Sequence, residues 1–71
     1  MSVAAIGEAS LLMGYALAGV EVIDARDAEA ARGAWAELPA GVALVILTSG
    51  ARAALGSRLE EDQVLWVEVP E

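Results

Sequence analysis

The chain has no cysteine, no histidine and no lysine. Without cysteine there is no disulfide staple and no thiol nucleophile. With histidine missing as well, structural zinc of the common kinds and imidazole acid–base chemistry are excluded. The four basic residues are all arginine; set against eleven carboxylates, they leave a net charge of −7. That balance denies nucleic acid the basic footprint it needs and disfavours an anionic membrane surface. No nucleic-acid partner is expected.

Seventy-one residues make one domain, expected to span 1–71. A chain this short buries only about 60% of its unfolded surface, so its stability margin is thin. Small domains compensate with disulfides, metals or partners. Here only a partner remains. The N-terminus has no basic stretch before its first apolar run, so a secretory signal is not expected. "SVAAIGEASLLMGYALAGV" approaches membrane-spanning length, yet Gly7, Glu8 and Gly14 interrupt it and Glu8 would sit deep in the bilayer. No direct membrane insertion is expected, and a bacterial or archaeal cytoplasm is the expected compartment.

What is present reads as a regular alternation of strands and helices. "VAAI" (Val3–Ile6) is a continuous apolar run ending at Gly7, the pattern of a strand buried on both faces. "ASLLMGYALAGV" follows without one charge, and a helix is expected over Ala9–Ala18, with Gly19 closing it. "VEVID" (Val20–Asp24) alternates as a second strand. In "RDAEAARGAWAEL", Asp27 is placed to cap a helix and Glu29 lies in its positive first turn. Ala31, Ala34, Trp35 and Leu38 form one apolar stripe of that helix, and "PAG" stops it. "VALVILT" (Val42–Thr48) is the strongest strand signal. Thr48 or Ser49 caps a third helix, whose Ala51, Ala54, Leu55 and Leu59 share a face and which ends at Glu60-Glu61-Asp62. "VLWVEV" (Val64–Val69) is the last strand, stopped by Pro70.

Strand–helix alternation implies a parallel sheet with right-handed crossovers. The first and third strands are uncharged and belong in the middle. Glu21 and Glu68 mark the second and fourth as edges, where a carboxylate discourages pairing with other chains. The expected fold is therefore α/β: a flavodoxin-like, three-layer open sheet of four parallel strands in order 2-1-3-4, with three helices. Handedness puts the first helix on one face and the other two on the opposite face. One helix cannot cover its face of four strands, and this helix is apolar all round. Both features predict a face finished by another molecule.

Catalytic motifs are missing. "IGEASLLMG" has the wrong spacing for a dinucleotide-binding turn, and no Walker A sequence is present. A receiver domain would place its phosphoacceptor Asp where Thr48 stands and would need a Lys. Thr48-Ser49-Gly50 could cradle an anion, though a cap is the simpler role. Glu60-Glu61-Asp62 reads as a solvated turn, with a hard-cation site as the alternative. Asp24 reads as a strand-end cap. Trp35 is expected in the core, while Trp66 stands between core and interface because Glu68 shares its face. No nucleophile, base and electrophile come together, so no catalysis, cofactor or metal is expected of this chain alone.

"GYALAGVEV" carries a resemblance. A strand, then a helix ending Gly-aromatic-x-Leu-Ala-Gly-Val, resembles the F subunit of the V-type ATP synthase/ATPase of archaea and some bacteria, with Leu17-Ala18-Gly19-Val20 as its most telling part. "DAEAARGAWAELPAGVALVILTSGARAALGSRL" looks like that family's second helix, third strand and third helix, and "VLWVEVPE" is similar to its terminal strand. The resemblance implies a non-catalytic, flavodoxin-like rotor component of the central stalk. It would bind the coiled-coil shaft, the D subunit of such complexes. With the other rotary ATPase subunits it would couple ATP hydrolysis or synthesis to proton or sodium transport from the cytoplasmic face of the membrane. Two departures accompany the resemblance. The family commonly carries Arg where Ala16-Leu17-Ala18 stands, and it continues past its last Pro into a C-terminal tail helix with no counterpart here. The residues expected to meet the partner are Leu11, Leu12, Met13, Tyr15, Leu17 and Trp66. The competing expectations are a small anion- or ligand-binding module using Thr48, Ser49 and Gly50, and a degenerate receiver-like signalling domain.

Overall fold

The computed structural model describes residues 2–62 and 64–69. Four strands and four helices follow one another as β1 (Ser2–Gly7), α1 (Ala9–Leu17), β2 (Glu21–Asp24), α2 (Ala28–Ala36), β3 (Val42–Leu47), α3 (Ser49–Leu55), α4 (Arg58–Glu61) and β4 (Leu65–Glu68). The strands form one sheet in the order β2-β1-β3-β4, every pair parallel. This is the expected α/β flavodoxin-like sheet. Pro70, expected to stop the last strand, lies outside the described residues.

Burial explains the strand order. Ala4, Ala5 and Ile6 of β1 are fully enclosed on both faces, and Val45 and Leu47 of β3 on the α2–α4 face, so a charge on either central strand would be buried there. Glu21 and Glu68 sit on the edge strands and stay in water. Side chains alternate across the sheet, so the two faces hold separate cores. Ile6, Val45 and Leu47 pack with Ala31, Trp35, Ala51, Leu55 and Leu59 from the α2–α4 side. Ala5, Ile46 and Val69 pack with Leu12 of α1 on the other side.

Local chemistry sets the helix starts. Asp27 accepts the Ala30 backbone N–H at 2.8 Å and Thr48 accepts that of Ala51 at 3.2 Å, each satisfying a donor that the first turn leaves free. Glu8, the N-cap of α1, makes no such bond with its side chain. Asp24 at the end of β2 substitutes for it, accepting the Ala9 N–H at 3.0 Å. A residue 15 positions away in sequence thus caps α1 and ties it to the edge strand.

One expected element is divided. The third helix ends at Leu55, and Gly56 takes φ +50°, ψ −126° before the single turn of α4. A positive φ costs glycine little, so the chain changes direction there. Leu59 still reaches the core after the turn, and the end of α4 carries Asp62 to the Trp35 indole, whose Nε1–H donates to Asp62 Oδ2 at 2.5 Å. Other boundaries differ from expectation by a residue or two, as fraying ends do.

Candidate functional site

Five large apolar side chains are exposed among the described residues: Leu17 (91%), Leu65 (74%), Met13 (68%), Leu11 (48%) and Val67 (46%). All belong to one side of the molecule. Leu11, Met13 and Leu17 lie on α1. Leu65 and Val67 share the face of β4 that Val69 turns toward the α1 core, since side chains two apart on a strand point the same way. Together they leave on the order of 500 Å² of apolar side chain in water on the α1 side of the sheet.

The cause is the layer count. Strands lie about 4.8 Å apart and a helix is about 10 Å across, so a helix covers two strands. α1 packs on β1 and β2. The amino half of the α1-side face of β3 and β4, with Leu44 half-buried and Leu65 and Val67 exposed, has no helix over it among the described residues, while Ile46 and Val69 toward the carboxyl end are buried beside Leu12. On the opposite face α2, α3 and α4 share the cover. No arginine lies on α1 or on any strand, so the open face carries no positive charge of its own.

The residues expected to meet a partner divide into three groups. Leu11, Met13 and Leu17 are on the open side. Leu12 is fully buried in the chain's own core and Tyr15 packs half-buried against it, so Leu12 is corrected from interface to core and Tyr15 offers a partner only its outer part. Trp66 is corrected as well. Alternation turns it to the α2–α3 face, where it packs on that core and the Arg52 guanidinium carbon sits 5.8 Å from its ring centroid. The Arg52 Nε also meets Glu68 Oε1 at 3.1 Å. Leu65 and Val67 join the open side without having been expected there. Strand parity was the available signal: if Trp66 and Glu68 share one face, Leu65 and Val67 share the other.

Ligands of open parallel sheets bind beyond the carboxyl ends of the strands, where chain order reverses. Here that place lies between β1 and β3 and is crowded. Gly7 has φ +154°, and a Cβ there would overlap the Thr48 side chain, so the two strand ends close on each other. Thr48 is buried, with its hydroxyl committed to capping α3. The cleft beside them, about 260 Å³, is lined by Glu8, Asp27 and Arg26 among others. Arg26 is paired at 3.5 Å with Asp24, leaving carboxylates in excess. A more open cleft of about 560 Å³ lies at the opposite, amino edge, between Trp35, Pro39, Val42, Arg58 and Asp62. Among the described residues no three carboxylates gather to hold a metal ion, and no helix is long and apolar enough to cross a membrane.

These features define a flavodoxin-like α/β domain with one helix-wide gap in its outer layer. No family model, curated protein or solved structure matches the chain.

Proposed function

We propose that the chain is a non-catalytic docking subunit whose α1-side face is completed by another protein. The observation that carries this is the gathering of all five exposed large apolar side chains on that side. A contact core of apolar groups without charge is the usual centre of a stable interface. The partner we propose is the coiled-coil shaft of a rotary V-type ATP synthase or ATPase. The support for that identity is the resemblance of the helix end Leu17-Ala18-Gly19-Val20 and of the strand–helix order to the F subunit of those complexes. In this role the chain turns with the shaft and carries none of the ATP chemistry itself. One helix of such a coiled coil fits an open strip two strands wide, because that strip is one helix across, and the second helix can lie over Leu17.

The anion-binding alternative is less well supported. Glu8, Asp24 and Asp27 surround Arg26 at the carboxyl edge, and Thr48 is already used as a cap. Copurification tests the proposal. Coexpressed with the shaft protein from the same source, the chain should elute in a one-to-one complex through size-exclusion chromatography. Separate elution at micromolar concentration refutes the shaft as partner.

A further inference from the structure

We infer that, when no other partner is bound, the open face is covered by a second copy of this chain in a two-fold dimer. This goes beyond the docking role and does not depend on the identity of the shaft.

The pattern on α1 is the starting point. Leu11, Tyr15 and Ala18, spaced i, i+4 and i+7, lie on one flank. Leu11 borders the cleft shared with Thr48 and Gly50, so this flank looks toward β3 and the uncovered strands. Gly14 and Leu17 look outward, away from the sheet, while Met13, one residue past the buried Leu12, lies on the flank opposite Leu11, toward the β2 edge; Leu17 is the most exposed large apolar residue described. A single foreign helix laid beside α1 would cover Leu44, Leu65, Val67 and the Leu11 flank, and would leave Met13 and Leu17 in water. An occupant that covers Leu17 as well must bring a second surface lying over α1.

A second copy has that shape. Each copy presents one surplus helix, α1, and one vacant strip the width of a helix. Take a two-fold axis parallel to the strands, passing between β1 and β3 at the height of the helix layer. The rotation places α1 of each copy in the vacant strip of the other. The two α1 helices then lie side by side about 10 Å apart, the ordinary spacing of packed helices, between two sheets. Leu11 and Tyr15 meet their own mates across the axis. Leu17 of one copy faces Leu65 and Val67 of the other, with Leu44 beside them, so four of the five exposed large apolar side chains are used and Met13 stays at the rim. Gly14 falls on the outward side, where a built Cβ meets nothing within 4 Å, and its small size lets the second sheet approach. This is an isologous contact, the commonest kind in homodimers.

The area is adequate. Covering both copies' apolar share removes at most about 1,000 Å² from water, the lower bound for a specific interface, so a weak, concentration-dependent dimer is expected. Two chains of net charge −7 repel, while the contact itself is uncharged. The dimer should therefore tighten as salt rises, opposite to a complex with a basic partner.

Sedimentation equilibrium on the isolated chain tests this between about 1 and 500 µM, bracketing affinities of interfaces this size. The wild type should pass from the 7.3 kDa monomer to twice that mass, and do so at lower concentration in about 500 mM than in about 50 mM salt. Leu17→Glu and Leu65→Glu alter the two most exposed apolar side chains, and each should keep its far-UV circular dichroism and stay monomeric. The chain has no cysteine of its own, so Leu11→Cys should oxidise to a covalent dimer across the axis, whereas Glu29→Cys on α2 should not. A monomer at the highest concentration overturns the inference. So does a dimer that weakens with salt, survives both Glu variants, or cross-links through residue 29 and not residue 11. None of these readings involves the shaft, so they leave the proposed function to its own test.

Discussion

Trp35→Ala should bring this domain to the edge of unfolding. The residue is 5% exposed and packs within the larger of the two cores. Removing so large a buried side chain costs about 3–5 kcal/mol. The hydrogen bond from its indole to Asp62 contributes about 0.5–1.5 kcal/mol of net stability, part of the same loss. A domain of this length has about 4–10 kcal/mol of total stability, so the substitution takes a third of it or more. Asp62→Ala separates the two terms. It leaves the ring in place and should cost only about 1 kcal/mol. Urea titration followed by circular dichroism gives both values, and thermal melting should show Trp35→Ala lowered by more than about 10 °C. A Trp35→Ala protein melting within about 3 °C of wild type would refute the assignment of this side chain to the core. Equal losses for Trp35→Ala and Asp62→Ala would show that the hydrogen bond, not the packing, is what holds α2 to the end of α4.

Gly7→Ala should destabilise by about 1–3 kcal/mol, because its Cβ meets the Thr48 side chain and the surrounding strand ends cannot part freely; unchanged stability in urea would show that this strand end is looser than its contacts indicate. Asp27→Ala should cost about 1 kcal/mol through loss of the bond to Ala30 N–H, while Asp27→Asn should restore most of it. Failure of the Asn variant to recover stability would assign the effect to charge rather than to capping.

Sheet order was legible because charge marks edges: Glu21 and Glu68 are the only charged residues inside the four expected strands before their terminal positions. The open face was legible for a related reason. The run from Ala9 to Val20 has no charge to offer solvent, and chain handedness leaves one helix for four strands. The break at Gly56 was not legible, because Leu59 follows Leu55 at the helical interval and continues the stripe across the turn. Two hydrogen bonds were invisible for another reason. Asp24 capping α1 and Asp62 holding Trp35 join residues 15 and 27 positions apart, which only the packed chain brings together. The place of Trp66 was hidden because its partner is remote in sequence. Arg52 lies over the ring and neutralises Glu68, so a carboxylate on that face does not mark it as an interface.

The most direct test of the docking face is a binding titration of charge variants against the shaft protein, measured by isothermal calorimetry. Met13→Asp, Leu17→Asp, Leu65→Asp and Val67→Asp each place a carboxylate on the open side without disturbing a buried residue. A charge desolvated without a counterion at the centre of a contact costs several kcal/mol, so at least two of the four should bind about 100-fold more weakly than wild type while keeping the native circular dichroism spectrum. Glu29→Arg and Arg32→Glu, exposed on α2 across the sheet, should bind within about threefold of wild type. If all four open-side variants bind normally and the α2 variants do not, the partner sits on the opposite face.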